Sequence, residues 1–116
     1  MAEMVTIREQ DLIDSVADAL QYISYFHPMD YIRALGHAYE AEQGPAAKDA
    51  IAQILTNSRM CAEGHRPICQ DTGIVNVFIE WGQNCRLESK RSLQEVVDEG
   101  VRRAYAHPEN KLRASV

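Results

Sequence analysis

The sequence predicts an α+β fold: N-terminal helices, then a loop, then a strand or hairpin, then a further helix. Three observations carry that expectation. Apolar residues recur at helical spacing from Leu12 to Leu55. The period changes to two after Gly73, where Val75, Val77, Ile79 and Trp81 alternate with Asn76, Phe78 and Glu80. Two stretches, Thr6-Ile7-Arg8-Glu9 and Ser92-Leu93-Gln94-Glu95, have the spacing of a capping box, in which a hydroxyl accepts an N3 amide and a glutamate reaches back.

Taken in order, the first box is expected to open a helix with Leu12, Ile13, Val16, Ala17, Leu20 and Ile23 on one face. That helix should stop before His27-Pro28. Pro28 suits the first turn of a second helix, which carries Ile32, Leu35, Ala38 and Tyr39 on one side. Gly44-Pro45 ends it and begins a third, because glycine favours the position after a helix and proline the first position within one. Ala47, Ala50, Ile51, Ile54 and Leu55 line this third helix, which is expected to fray from Cys61 to Gly64.

The alternation after Gly73 predicts a strand with its apolar face covered by helices. Gly82-Gln83-Asn84 is a turn signal, and Cys85-Arg86-Leu87 reads as a short return strand. The second capping box then opens a helix with Leu93, Val96, Val97, Val101 and Ala104 inward, closing near His107-Pro108. The tail from Asn110 to Val116 carries no closing element, so the expectation is a partial domain of a larger protein.

The chain of 116 residues is long enough for one core and too short for two ordinary ones. Twelve basic and seventeen acidic residues give a net charge of −5, with no basic block, which argues against a nucleic-acid or anionic-membrane partner. No apolar run has the length needed to span a bilayer. The N-terminal stretch lacks the apolar segment of a signal peptide, so a cytoplasmic location is expected. Three cysteines, Cys61, Cys69 and Cys85, do not make a disulfide framework, and their spacings match no short zinc or ferredoxin pattern.

Between the helical and alternating regions lies Gly64-His65-Arg66-Pro67-Ile68-Cys69-Gln70-Asp71-Thr72-Gly73. Gly64 and Gly73 can take positive φ, while Pro67 fixes its own φ and biases Arg66 towards extended backbone. A bent loop of set geometry results, carrying a thiol, an amide, a carboxylate and a hydroxyl in succession. Read alone, Cys69 fits a small buried hydrophobe as well as a ligand, though the neighbouring Arg66 would favour thiolate. Read alone, Gln70 and Asp71 fit turn-forming residues better than ligand contacts. His65 and Arg66 read as a solvent-facing pair as readily as neighbours of an anion, and Arg102 and Arg103 as solvated or paired with Glu99.

The run Arg66-Pro67-Ile68-Cys69-Gln70-Asp71-Thr72-Gly73 resembles the cluster-binding motif of the class I, iron–sulfur-dependent fumarases and the related tartrate dehydratases. Asn57-Ser58-Arg59-Met60, Glu99-Gly100-Val101-Arg102-Arg103-Ala104-Tyr105 and Leu112-Arg113-Ala114-Ser115 extend the likeness through most of the chain. The resemblance implies that residues 1–116 are the N-terminal portion of such a hydro-lyase. It implies that Cys69 ligates a [4Fe–4S] cluster and that Gln70 and Asp71 bind a dicarboxylate substrate, fumarate or malate. The other ligands and the catalytic base would come from the remainder of the enzyme or a partner subunit, and a homodimer is expected. A tartrate dehydratase subunit is the near alternative. A non-catalytic helical binding or assembly domain, or a zinc or redox thiol protein, are the alternatives of other classes.

Overall fold

The computed structural model describes residues 3–68 and 73–109. Its elements run β1 (Val5–Arg8), α1 (Glu9–Tyr25), α2 (Met29–Ala41), α3 (Pro45–Gly64), β2 (Cys85–Glu88) and α4 (Leu93–Ala106). The α+β expectation holds. The chain divides into two compact units, one of Met1–Gln21 with Asp71–Val116, the other of Tyr22–Gln70.

In the first unit β1 pairs in parallel with β2, in the register Val5↔Cys85, Thr6↔Arg86, Ile7↔Leu87 and Arg8↔Glu88. The amide of Val5 also donates to the Asn84 carbonyl at 2.7 Å. This corrects two expectations. Thr6 lies inside a strand and not at a helix cap, because the backbone of Val5–Arg8 finds ladder partners on β2; α1 begins only at Glu9. Cys85–Glu88 is a strand, but its partner is β1 and not the alternating segment, so no hairpin forms.

The alternating segment itself, residues 74–81, runs with no helical, turn or bend residue and without a place in the sheet. The predicted strand therefore lacks its ladder. Period-two patterning specifies which side chains share a face, whereas a ladder needs neighbours.

The apolar core of this unit sits where α1 and α4 meet. Ile13 on α1 is 1% exposed and Val96 on α4 is fully buried, with Leu20, Val97 and Ala104 close behind. The helical stripes expected on these two segments are thus the ones that pack, except that Ile23 at the end of the first is exposed. Gly100 lies at the contact: a methyl group there would stand 2.7 Å from Val16 Cβ and 3.0 Å from the Ile13 carbonyl. At the head of α4 Ser92 accepts from the Glu95 amide at 3.1 Å, the serine half of the expected box. Near its foot the Gln21 side chain donates to the Ala104 carbonyl at 3.0 Å. The Glu9 carboxylate pairs with Arg91 just ahead of α4.

The second unit holds the end of α1 together with α2 and α3, which pack against one another. Pro28 caps α2 rather than entering its first turn, and Gly44 caps α3 with Pro45 in its first turn. The buried residues here are small or polar, Ser24, Ser58 and Cys61, together with Ile68. No residue of α2 is buried. Met29, Tyr31, Tyr39, Ile54 and Met60 stay exposed.

Candidate functional site

The approach to the Cys69 loop is built by the last turn of α3. The expected fraying from Cys61 does not occur: the helix continues through Gly64 and closes on His65, in left-handed conformation at φ 50°, ψ 51°. The Arg66 amide then donates to the Cys61 carbonyl at 3.1 Å. Left-handed backbone costs a non-glycine residue about 1 kcal/mol, and the His65 ring offsets it by packing. It stacks on Tyr25 with centroids 4.9 Å apart and planes 3° apart, and meets Phe26 edge-on at 5.9 Å. So the positive φ expected at Gly64 belongs to His65, while Gly73 has it as expected, at φ 88°.

Past His65 the chain is tied down twice. The Ile68 amide donates to the Ser24 carbonyl at 2.8 Å, at the end of α1. Its side chain is 3% exposed. The Cys61 thiol, itself buried, lies 3.6 Å from the Pro67 carbonyl and 3.7 Å from Asn57 Oδ1. Beside it Ser58 shares a hydrogen bond of 2.9 Å with His27 Nδ1, and the His27 ring stacks on Tyr31 at 4.6 Å. The residue before Cys69 is therefore held by backbone and by burial.

Cys69, Gln70 and Asp71, the expected ligand and substrate contacts, and Thr72 beside them, lie outside the described residues. The other two cysteines behave as structural thiols: Cys61 is buried against its own helix and Pro67, and Cys85 is half-buried in β2. Among the described residues no three His, Cys, Asp or Glu side chains come together as a metal site.

The stretch Glu99–Tyr105 is on α4, and its arginines are paired as expected. Arg102 reaches Glu99 through Nε at 2.7 Å and Nη2 at 2.6 Å, and Arg103 through Nε at 3.0 Å. Hydrogen bonds from Arg102 first and Arg103 second hold the Glu99 carboxyl down at about 2. The same carboxylate raises the Arg102 guanidinium.

Sequence reasoning did not find Ser24 or the Cys61–Pro67 contact. Ser24 acts through its backbone carbonyl, which leaves no mark on residue type. The stacking partner of His65 was equally illegible, since Tyr25 is distant in sequence and sits at a helix end.

Comparison with known proteins gives three results. The family model described as fumarate hydratase (Fumerase) matches residues 13–116. A protein of Methanocaldococcus jannaschii named "Putative L(+)-tartrate dehydratase subunit alpha" is 31% identical over 91 residues, covering 78% of this chain and 32% of that one. The chain thus spans about a third of the length of that curated relative. No solved structure matches.

Proposed function

The chain belongs to the fumarate hydratase family, and from that premise we propose that it is the N-terminal part of an iron–sulfur hydro-lyase acting on a small dicarboxylate, fumarate and malate in the first instance. The match over residues 13–116 is the observation that carries the reading. It supports an enzyme over a helical assembly module or a zinc thiol protein. The absence of an apolar run of membrane length agrees with a cytoplasmic location, and among the described residues no helix is long and apolar enough to cross a membrane.

Water addition across a carbon–carbon double bond needs a grip on the substrate carboxylates, a Lewis acid at the hydroxyl and a base at carbon. A [4Fe–4S] cluster, if bound, would supply the Lewis acid. This chain's share is narrower. Cys69 offers one thiolate, and Gln70 and Asp71 orient the dicarboxylate by an amide and a carboxylate on adjacent residues. The Ser24–Ile68 hydrogen bond, the buried Ile68 side chain and the His65–Tyr25 stack fix where that loop leaves α3. The remaining thiolates and the base come from polypeptide other than this chain, either the rest of the enzyme or a partner subunit, with a homodimer as the assembly.

A second reading has a specific observation in its favour. The relative's name makes it a tartrate dehydratase subunit, so the substrate is tartrate if the pocket completed by the partner polypeptide accepts a second hydroxyl. Anaerobic reconstitution of the assembled enzyme with iron and sulfide, followed by assays with malate, fumarate and tartrate, tests both. A cluster absorption band with turnover of malate and fumarate is the expected result. Turnover of tartrate alone selects the second reading, and an assembly that takes up no cluster overturns both.

A further inference from the structure

Residues Ile74 to Trp81 form an eight-residue stretch with a single charge, Glu80. It runs without a bend, and none of its backbone groups bonds to another described segment. Its odd-numbered face leans towards α4: Val75, Val77 and Ile79 share with Leu93, Val97 and Val101 an open groove of about 390 Å³. Its even-numbered face is bare, with Phe78 95% exposed and Ile74 78% exposed. A mostly apolar, unpaired stretch with one charge is what a strand edge must not be if it is to stay in water, since it templates pairing with other chains. Such a patch marks a surface that is covered in the working protein.

We infer that residues 74–81 are an interior strand of a sheet completed by polypeptide from the remainder of a family-length enzyme, which adds a strand along each edge and covers Phe78 and Ile74. The inference rests on the family reading only for the source of that polypeptide: the chain spans 32% of the length of its relative, leaving two thirds to supply it. A second copy of this chain is the other candidate, and geometry disfavours it. A two-fold contact between identical strands pairs one edge of each and leaves the other edge of each open, whereas here both edges lack partners among the described residues. Strand addition supplies backbone hydrogen bonds for affinity and alternate side chains for selectivity. Among the described residues the sheet holds β1 and β2, and 74–81 pairs with neither.

The test is amide hydrogen exchange on the tagged chain isolated in its native assembly, compared with the 116-residue chain alone. Amides of 74–81 should exchange at near-open rates in the chain alone and slow by about 100-fold or more in the assembly. A photocrosslinker at position 78 should capture peptides from beyond the matched third of the family sequence. Phe78→Lys, at a fully solvated position, should leave the folding of the lone chain unchanged and abolish the slowing. Open exchange in the assembly overturns the inference, as does slowing that grows with concentration in the lone chain, which assigns the surface to a second copy. The hydro-lyase assay on the same preparation separates the two claims. Slowed amides without activity leave this surface standing and remove the proposed function; activity with open amides does the reverse.

Discussion

Gly100 of α4 faces Val16 of α1 so closely that a side-chain methyl would lie 2.7 Å from Val16 Cβ. Glycine inside a helix costs about 0.5–1 kcal/mol against alanine, so the close approach must return more than that. Gly100→Ala should therefore destabilise in spite of its better helix propensity, by about 1–3 kcal/mol from overpacking. A lowered urea midpoint checks this. An unchanged or raised midpoint would mean the helices separate at no cost.

Ile68 is the anchor next to Cys69. Ile68→Ala removes a buried side chain and should cost about 2–5 kcal/mol. In the assembled enzyme it should also loosen the loop, so that iron is lost to a chelator faster than from the parent. The structural cost and the iron loss are read separately, by thermal unfolding and by the decay of cluster absorption. Iron retention unchanged in a destabilised variant would detach the anchor from the site.

Cys69 and Asp71 should fail differently. Cys69→Ser exchanges a soft thiolate for a poorly ionised hydroxyl, so cluster and activity should disappear together. Asp71→Asn keeps size and removes charge, so cluster content should stay near that of the parent while turnover falls. If both merely shape a turn, each costs about 1 kcal/mol and the chemistry survives. Equal cluster loss in both would make Asp71 part of the scaffold.

Glu99 gives a pH signature. Its carboxyl is lowered from 4.5 to about 2 by Arg102 and Arg103. A group depressed on folding adds stability that is complete above its unfolded value and fades as pH falls through the folded one. The stability difference between the parent and Glu99→Gln should thus be constant above pH 5 or so and shrink from about 4.5 towards 2. Unfolding curves taken across that range measure it. A difference that does not narrow would show that the pair is formed in the unfolded chain too.

The legible parts of the fold were those settled within one element. The stripes Ile13, Leu20 and Val96, Val97, Ala104 reveal a helix face whatever covers it, and Ser92 announces its own cap. What escaped depended on distant partners. Thr6 to Glu9 has a helix-start pattern, yet β2 claims the backbone of Val5–Arg8. Val75 to Trp81 has strand patterning and finds no ladder. At the candidate site the sequence names Cys69, Gln70 and Asp71, outside the described residues. The structure adds their approach: a histidine in left-handed conformation held by a tyrosine, and a serine carbonyl that no sequence pattern marks.

The pairing of Val5 with Cys85 also orders events during synthesis. The unit of Tyr22–Gln70 is one continuous piece of chain, whereas the unit around it needs both ends. As the ribosome delivers about 5–20 residues per second, the Tyr22–Gln70 piece has roughly 1–4 s to settle while β1 waits for its mate. Released chains truncated at Asn84 should consequently resist protease within Tyr22–Gln70 and be cut at Val5–Arg8. Chains stalled well after Ala106 should resist at both. The stretch leading to Cys69 would then be shaped before β1 has anything to pair with.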